Sequence, residues 1–196
     1  MVCIHPVGSV RTHGMRLLRR PALLALALVA TLSAAACAPM GPPTTSTVES
    51  VDVERYLGTW YELGSIKQFF SFGLVNTQAD YSLLPDGSIR VENSGNYFFA
   101  GGPESRIVGS AVPVDDSNAR LNVSFLGPAT AQGPGNYWIV DLDPDYEWAI
   151  VSDPTGQSGF ILSRSRSVSP ELYGELVARA AAKGVDTSAL TVTPQL

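Results

Sequence analysis

Histidine and cysteine are almost missing from this sequence. Of its 196 residues two are His (His5 and His13) and two are Cys (Cys3 and Cys37), so neither side chain occurs beyond residue 37. From that point on, a His-built zinc site, a His-ligated iron centre, a Ser-His-Asp triad and a Cys-His nucleophile all lack their central group. No disulfide can close there either. Basic residues are scarce, 13 Lys and Arg against 18 Asp and Glu, and they are not clustered, which removes the electrostatic footprint of a nucleic-acid binder. Asp141, Asp143 and Asp145 alternate like the start of a calcium loop, but Tyr146 stands where that loop needs Gly and Ser152 where it needs a bidentate Glu. Gly156-Gln157-Ser158-Gly159 is no nucleophile elbow and has no base to activate it. Carboxylates are the only abundant titratable groups left, and no pair is recognisably placed for acid–base work. No metal, no cofactor and no catalytic residue are therefore expected.

The N-terminal region carries an export signal. Arg16, Arg19 and Arg20 precede an apolar run from Ala22 to Ala30, which passes into Ser33-Ala34-Ala35-Ala36 before Cys37. A charged head, a short apolar stretch and a small-residue exit describe a signal peptide, and the run is too short for a membrane-spanning helix of about 20 residues. Residues 1–36 are assigned to it, with Met15 as the expected true start. Leu32 to Cys37 is similar to a lipobox, the site of diacylglycerol attachment to cysteine, although Ala34 stands where Leu is preferred and Ala34-Ala35-Ala36 also suits an ordinary signal peptidase. An unpaired Cys at the first position of an exported chain is most simply an acylation site. Ala38 is not the Asp that retains lipoproteins in an inner membrane. The expected location is thus the outer membrane, or the outer leaflet of the cell membrane in a one-membrane bacterium. Cleavage before Cys37 leaves nine Lys and Arg against eighteen Asp and Glu, a formal −9.

Residues 37–50, rich in Pro, Thr and Ser, read as a tether reaching up to roughly 50 Å. Residues 51–196 read as one domain. Short β-rich runs alternate there with turn signals: 59–66, 76–84, 88–97, 106–114, 119–125, 137–142, 147–152 and 159–163. One helix follows, with Ser169 as cap, Pro170 at its first position, an apolar stripe of Leu172, Leu176, Val177 and Ala180, and Gly184 at its end. Eight antiparallel strands followed by an amphipathic helix predict an all-β fold, an eight-stranded up-and-down barrel with the C-terminal helix packed outside, able to hold one small ligand.

Tyr56-Leu57-Gly58-Thr59-Trp60-Tyr61-Glu62 resembles the first signature of the lipocalin family, Asp141 to Val151 its second, and Ile161-Leu162-Ser163-Arg164 its third. Tyr81-Ser82-Leu83, Val91 to Gly95, Val123 to Pro128 and Thr191 to Gln195 are similar to the branch of bacterial lipocalins, apolipoprotein D and plant temperature-induced lipocalins. The resemblance implies a calyx closed at one end by Trp60 with the Arg164 guanidinium stacked on it. It places Tyr81, Val91, Asn93, Tyr97 and Phe160 at ligand-contacting positions. Strand alternation would turn Glu62 and Gly64 inward with Trp60, Glu62 either serving the cavity or being exposed by an irregularity. The Phe69-Phe70-Ser71-Phe72-Gly73 loop would line the entrance, touch a membrane or pack on the rim. The expected partners are a small apolar ligand such as a fatty acid or lysophospholipid, and a membrane through the anchor at Cys37. A structural or interaction lipoprotein with a filled barrel, and a carboxylate-based hydrolase, are the alternatives.

Overall fold

The computed structural model describes residues 44–68 and 71–196. The leader, Cys37, Phe69 and Phe70 lie outside the described residues. The elements run α1 (Val53–Tyr56), β1 (Gly58–Ile66), β2 (Leu74–Leu83), β3 (Ile89–Tyr97), β4 (Glu104–Pro113), β5 (Arg120–Ser124), β6 (Tyr137–Leu142), β7 (Trp148–Ser152), β8 (Gly159–Ser163), α2 (Pro170–Ala182) and β9 (Leu190–Val192). Each of the first seven strands pairs antiparallel with the next, β1 with β2 from Gly58↔Tyr81 to Tyr61↔Gln78, and β8 pairs with β1, so the sheet closes on itself. This is the expected barrel with one strand more.

The period-two alternation of the strands separates two cores. Trp60, Tyr81, Ile89, Val91, Leu121, Ile139 and Leu162 point into the barrel. Leu63, Ile66, Val140, Ile150 and Ile161 point outward and are covered by Leu176 and Ala180 of α2, with Leu172, Tyr173 and Val177 at the margin. Ser169 Oγ accepts from Leu172 N at 3.2 Å, and Gly184, at φ +88, ends the helix where the Val185 amide reaches back to Ala180 O.

Two irregularities depart from strict alternation. In β1 the pairing with β8 slips between Glu62↔Leu162 and Gly64↔Ile161, so a bulge at Leu63 reverses the facing of everything after it. Gly64 therefore faces outward, where an added Cβ would lie 2.4 Å from the Tyr173 hydroxyl, and the expectation that it shares the Trp60 face is corrected. In β2 the register slips between Val75 and Gln78, with Asn76 at φ +53. There β2 leaves β1, and the chain end fills the gap: β9 pairs with β1 at Gly64↔Val192, Asn76 N donates to Pro194 O at 2.8 Å, and Gln195 Nε2 donates to both Glu62 O and Thr77 O at 2.9 Å.

Thr44, Thr45 and Val48, within the stretch expected as tether, are bonded to the barrel. Thr44 N donates to Pro154 O at 2.9 Å, Thr45 Oγ1 to Asp153 O at 2.8 Å and Val48 N to Ile139 O at 3.0 Å. Each bond satisfies a backbone carbonyl that a loose tether would leave to water.

Candidate functional site: a barrel closed at one end

At the closed end Trp60 is fully buried and its indole N–H donates to Tyr56 O at 2.8 Å. The Arg164 guanidinium carbon lies 3.8 Å from the Trp60 ring centroid. Its nitrogens donate to Thr59 O at 2.9 Å, Arg55 O at 2.7 Å and Tyr146 O at 3.3 Å. Burial pulls the Arg164 pKa down, and the neighbouring Tyr56 and Glu147 pull it back. A planar cation that stacks on an aromatic face and donates along its edges suits a site with three carbonyls and no carboxylate in its bonds. The α1 turn lies over this end: Tyr56 stacks at 4.9 Å from Trp60, and Arg55 sits 4.1 Å from the Tyr146 ring.

Above the floor the interior divides. The lower chamber, walled by Val51, Val53, Leu57, Ile89, Ala111 and Ile139, is almost filled, with about 20 Å³ left. Its ceiling is a chain of buried hydroxyls, Tyr56 to Tyr137 at 2.9 Å and Tyr137 to Tyr81 at 3.0 Å. Burial raises all three pKa values, that of Tyr81 to about 12. The Tyr81 hydroxyl is thus already bonded to Tyr137. Tyr56 and Tyr137 were not singled out from the sequence, although Tyr137 falls on the same strand face as Ile139.

The upper cavity is open and larger, about 280 Å³. Ala79, Val91, Val123, Phe125, Phe160 and Leu162 supply its apolar wall, and Glu62, Thr77, Gln78, Asn93 and Asn136 a polar one. Of the residues expected at the ligand, Tyr81, Val91, Asn93 and Phe160 line this cavity. Tyr97 does not. It pairs with Leu74 at the last step of β3, and its ring lies 5.9 Å from that of Phe98.

Glu62 is buried in the wall. Its Oε1 accepts from Ser65 Oγ at 2.6 Å, from Lys67 Nζ at 2.7 Å and from Thr193 Oγ1. The bulge brings Ser65 back to the inner face, and the chain end delivers Thr193, 131 residues from Glu62 in sequence. Thr77 Oγ1, on the same wall, is buried with no hydrogen-bond partner among the described residues. Sequence reasoning reached Glu62 through alternation but missed Thr77, Lys67 and Thr193, since no local signal announces the bulge in β2 or the path of the tail.

Among the described residues no cluster of His, Cys, Asp and Glu is arranged to hold a metal, and no helix is long and apolar enough to cross a membrane. Residues 51–195 match the family model described as a lipocalin-like domain. The chain is 38% identical over 154 residues to temperature-induced lipocalin-1 of Arabidopsis thaliana, covering 76% of this chain and 81% of that one. It is 36% identical over 169 residues to the outer membrane lipoprotein Blc of Escherichia coli, covering 85% and 92%. Apolipoprotein D of Oryctolagus cuniculus is 33% identical over 163 residues, covering 79% and 82%. Among solved structures, apocrustacyanin C1 superposes with a TM-score of 0.59 at 17% identity, over 79% of this chain and 91% of that one, a likeness of fold.

Proposed function

Since this chain belongs to the lipocalin family, we propose that it carries one small amphipathic lipid, a fatty acid or a lysophospholipid, in its upper cavity and is fastened to a membrane through diacylglycerol on Cys37. The observation that carries the reading is the division of the cavity wall, aliphatic and aromatic groups on one side and Glu62, Thr77, Gln78 and Asn93 on the other. An acyl chain leaves water against the first at about 0.8 kcal/mol per buried methylene, while the unpartnered Thr77 hydroxyl offers a hydrogen bond to a polar head. The similarity to the outer membrane lipoprotein Blc supports an exported, envelope-bound carrier serving lipid storage, transport or maintenance. Binding without catalysis fits a cavity whose one buried carboxylate, Glu62, is already bonded to Ser65, Lys67 and Thr193.

The test is displacement of an environment-sensitive fatty-acid probe from the delipidated protein. Long-chain fatty acids and lysophosphatidylcholine should displace it saturably, Val91→Asp should abolish binding by burying an unpaired charge, and Asn93→Ala should change the ranking of headgroups more than the affinity for chains. No saturable displacement by any acyl ligand would replace the carrier with a structural lipoprotein. Radiolabelled palmitate should enter the wild type and be absent from Cys37→Ser; an unlabelled wild type means simple secretion.

A further inference from the structure

The two ends of the barrel differ in a way the carrier reading does not use. Antiparallel order places the β1–β2, β3–β4, β5–β6 and β7–β8 loops together at the open end and the β2–β3, β4–β5 and β6–β7 turns at the closed end with Trp60. The open end carries the exposed phenylalanines and the most exposed leucine among the described residues, Phe72 at 74% exposure, Phe98 at 69%, Phe99 at 57% and Leu126 at 98%, while Val192 and Leu196, also exposed, belong to the tail. The first four belong to three different loops. Two of those loops are tied together, with Phe98 N donating to Gly73 O at 2.7 Å. Within 67–73, 98–103 and 125–136 the only charged side chain is Lys67, which is paired with Glu62 at 2.7 Å, and the fourth loop at this end, 153–158, adds only Asp153. The closed-end turns are acidic, with Asp86, Asp115, Asp116, Asp143, Asp145 and Glu147.

The chain also enters the domain at the open end. Thr44, where the described residues begin, is held by the β7–β8 loop, its N–H on Pro154 O and its Oγ1 on Thr155 O at 2.6 Å. Six residues lie between Cys37 and this point, a reach of at most about 25 Å, comparable to the height of a tilted barrel strand of nine residues.

We propose that the open end is a bilayer-docking surface, with Phe72, Phe98, Phe99 and Leu126 inserted among the lipid headgroups and acyl chain ends so that the cavity opens onto the membrane. The proposal rests on the reading of the protein as an anchored lipid carrier. A rim of aromatic and aliphatic side chains with few charges suits the interfacial layer of a membrane, whereas the acidic closed-end turns are repelled by anionic lipid. A lipid then passes between bilayer and cavity without its chain crossing water.

The experiment uses the processed chain, residues 37–196 carrying Cys37→Ser, so that neither an acyl anchor nor the apolar leader contributes. It should co-sediment saturably with phosphatidylcholine vesicles, and the combination Phe72→Ser, Phe98→Asn, Phe99→Ser and Leu126→Ser should weaken that partitioning by roughly tenfold or more. Asn at 98 tolerates the positive φ of 71 found there. In the same background a polarity-sensitive fluorophore attached through Leu126→Cys should shift to the blue when vesicles are added, and one attached through Asp116→Cys at the closed end should not. Undiminished partitioning of the rim variant, equal shifts at both ends, or self-association of the parent protein in place of vesicle binding would overturn the proposal. Fatty-acid displacement on the same preparations separates the two readings: intact displacement without docking defeats only this proposal, and docking without displacement defeats only the carrier.

Discussion

Arg164 makes its contacts almost entirely with backbone and with a ring. It stacks on Trp60 and donates to three carbonyls contributed by α1, the start of β1 and the β6–β7 turn, so it ties together three segments that no strand ladder joins. Trp60→Ala should lower unfolding free energy by about 3 to 5 kcal/mol. Arg164→Ala should cost less, and the double variant less than the sum of the two, as measured by denaturant titration. Strict additivity would show that ring and guanidinium act independently. The three tyrosines give a second residue-scale outcome. Their folded pKa values lie above the ordinary 10, that of Tyr81 at about 12, so the folded state keeps protons that the unfolded state has begun to lose. Their contribution is complete below pH 10 and is lost as pH rises from 10 towards 12. Stability should fall over that window in the wild type, and less steeply in Tyr137→Phe, with tyrosinate absorbance appearing late in the folded protein.

Among the elements, the tail strand and the outer helix are held by opposite means. The tail is polar: Thr193 and Gln195 bond Glu62 and Thr77 across a gap that β2 opens by its own bulge. Thr193→Val keeps the shape and removes one donor from a buried carboxylate, so it should cost about 1 to 3 kcal/mol. It should also speed hydrogen exchange at Asn76, whose amide is covered by Pro194, while leaving β5 and β6 unchanged. Helix α2 is apolar in its contact, and Leu176, fully buried against the outer face of the barrel, is its anchor. Leu176→Ala should cost about 2 to 5 kcal/mol. Gly64→Val should reach a similar effect from the other side, because β1 can approach Tyr173 only where no Cβ intervenes; melting temperatures of the two variants provide the comparison.

For the molecule as a whole, a ligand that enters only the folded barrel must stabilise it. At a hundredfold excess over the dissociation constant the gain is about 2.7 kcal/mol, so scanning calorimetry should show the melting temperature rising with added long-chain fatty acid. Phe160→Trp narrows the upper cavity and should reduce that rise. It also supplies a wall reporter, since Trp60 lies under Tyr56 and Trp138 and Trp148 belong to the outer core.

Much of this was open to a reader of the chain alone, because the relevant signals are local. Alternation of period two marks β3, where Ile89 and Val91 go in and Arg90 and Glu92 go out, Glu92 pairing with both Arg90 and Arg106, and Ser169, Pro170 and Gly184 delimit the helix by their own backbone preferences. The Trp60–Arg164 pair spans more than a hundred residues, and it was visible only through resemblance to a family. What remained hidden depends on partners distant in sequence. A bulge is a mismatch between two strands, so the reversal of Gly64 and the departure of β2 at Asn76 could not be read from any one of them. Three residues of β9 are too few to carry a period, and they become a strand because β1 has a vacant edge where β2 leaves it. The docking of Thr44 and Thr45 has the same origin: Pro-, Thr- and Ser-rich chain has no preference for order of its own, and here it is ordered by the carbonyls of the β7–β8 loop.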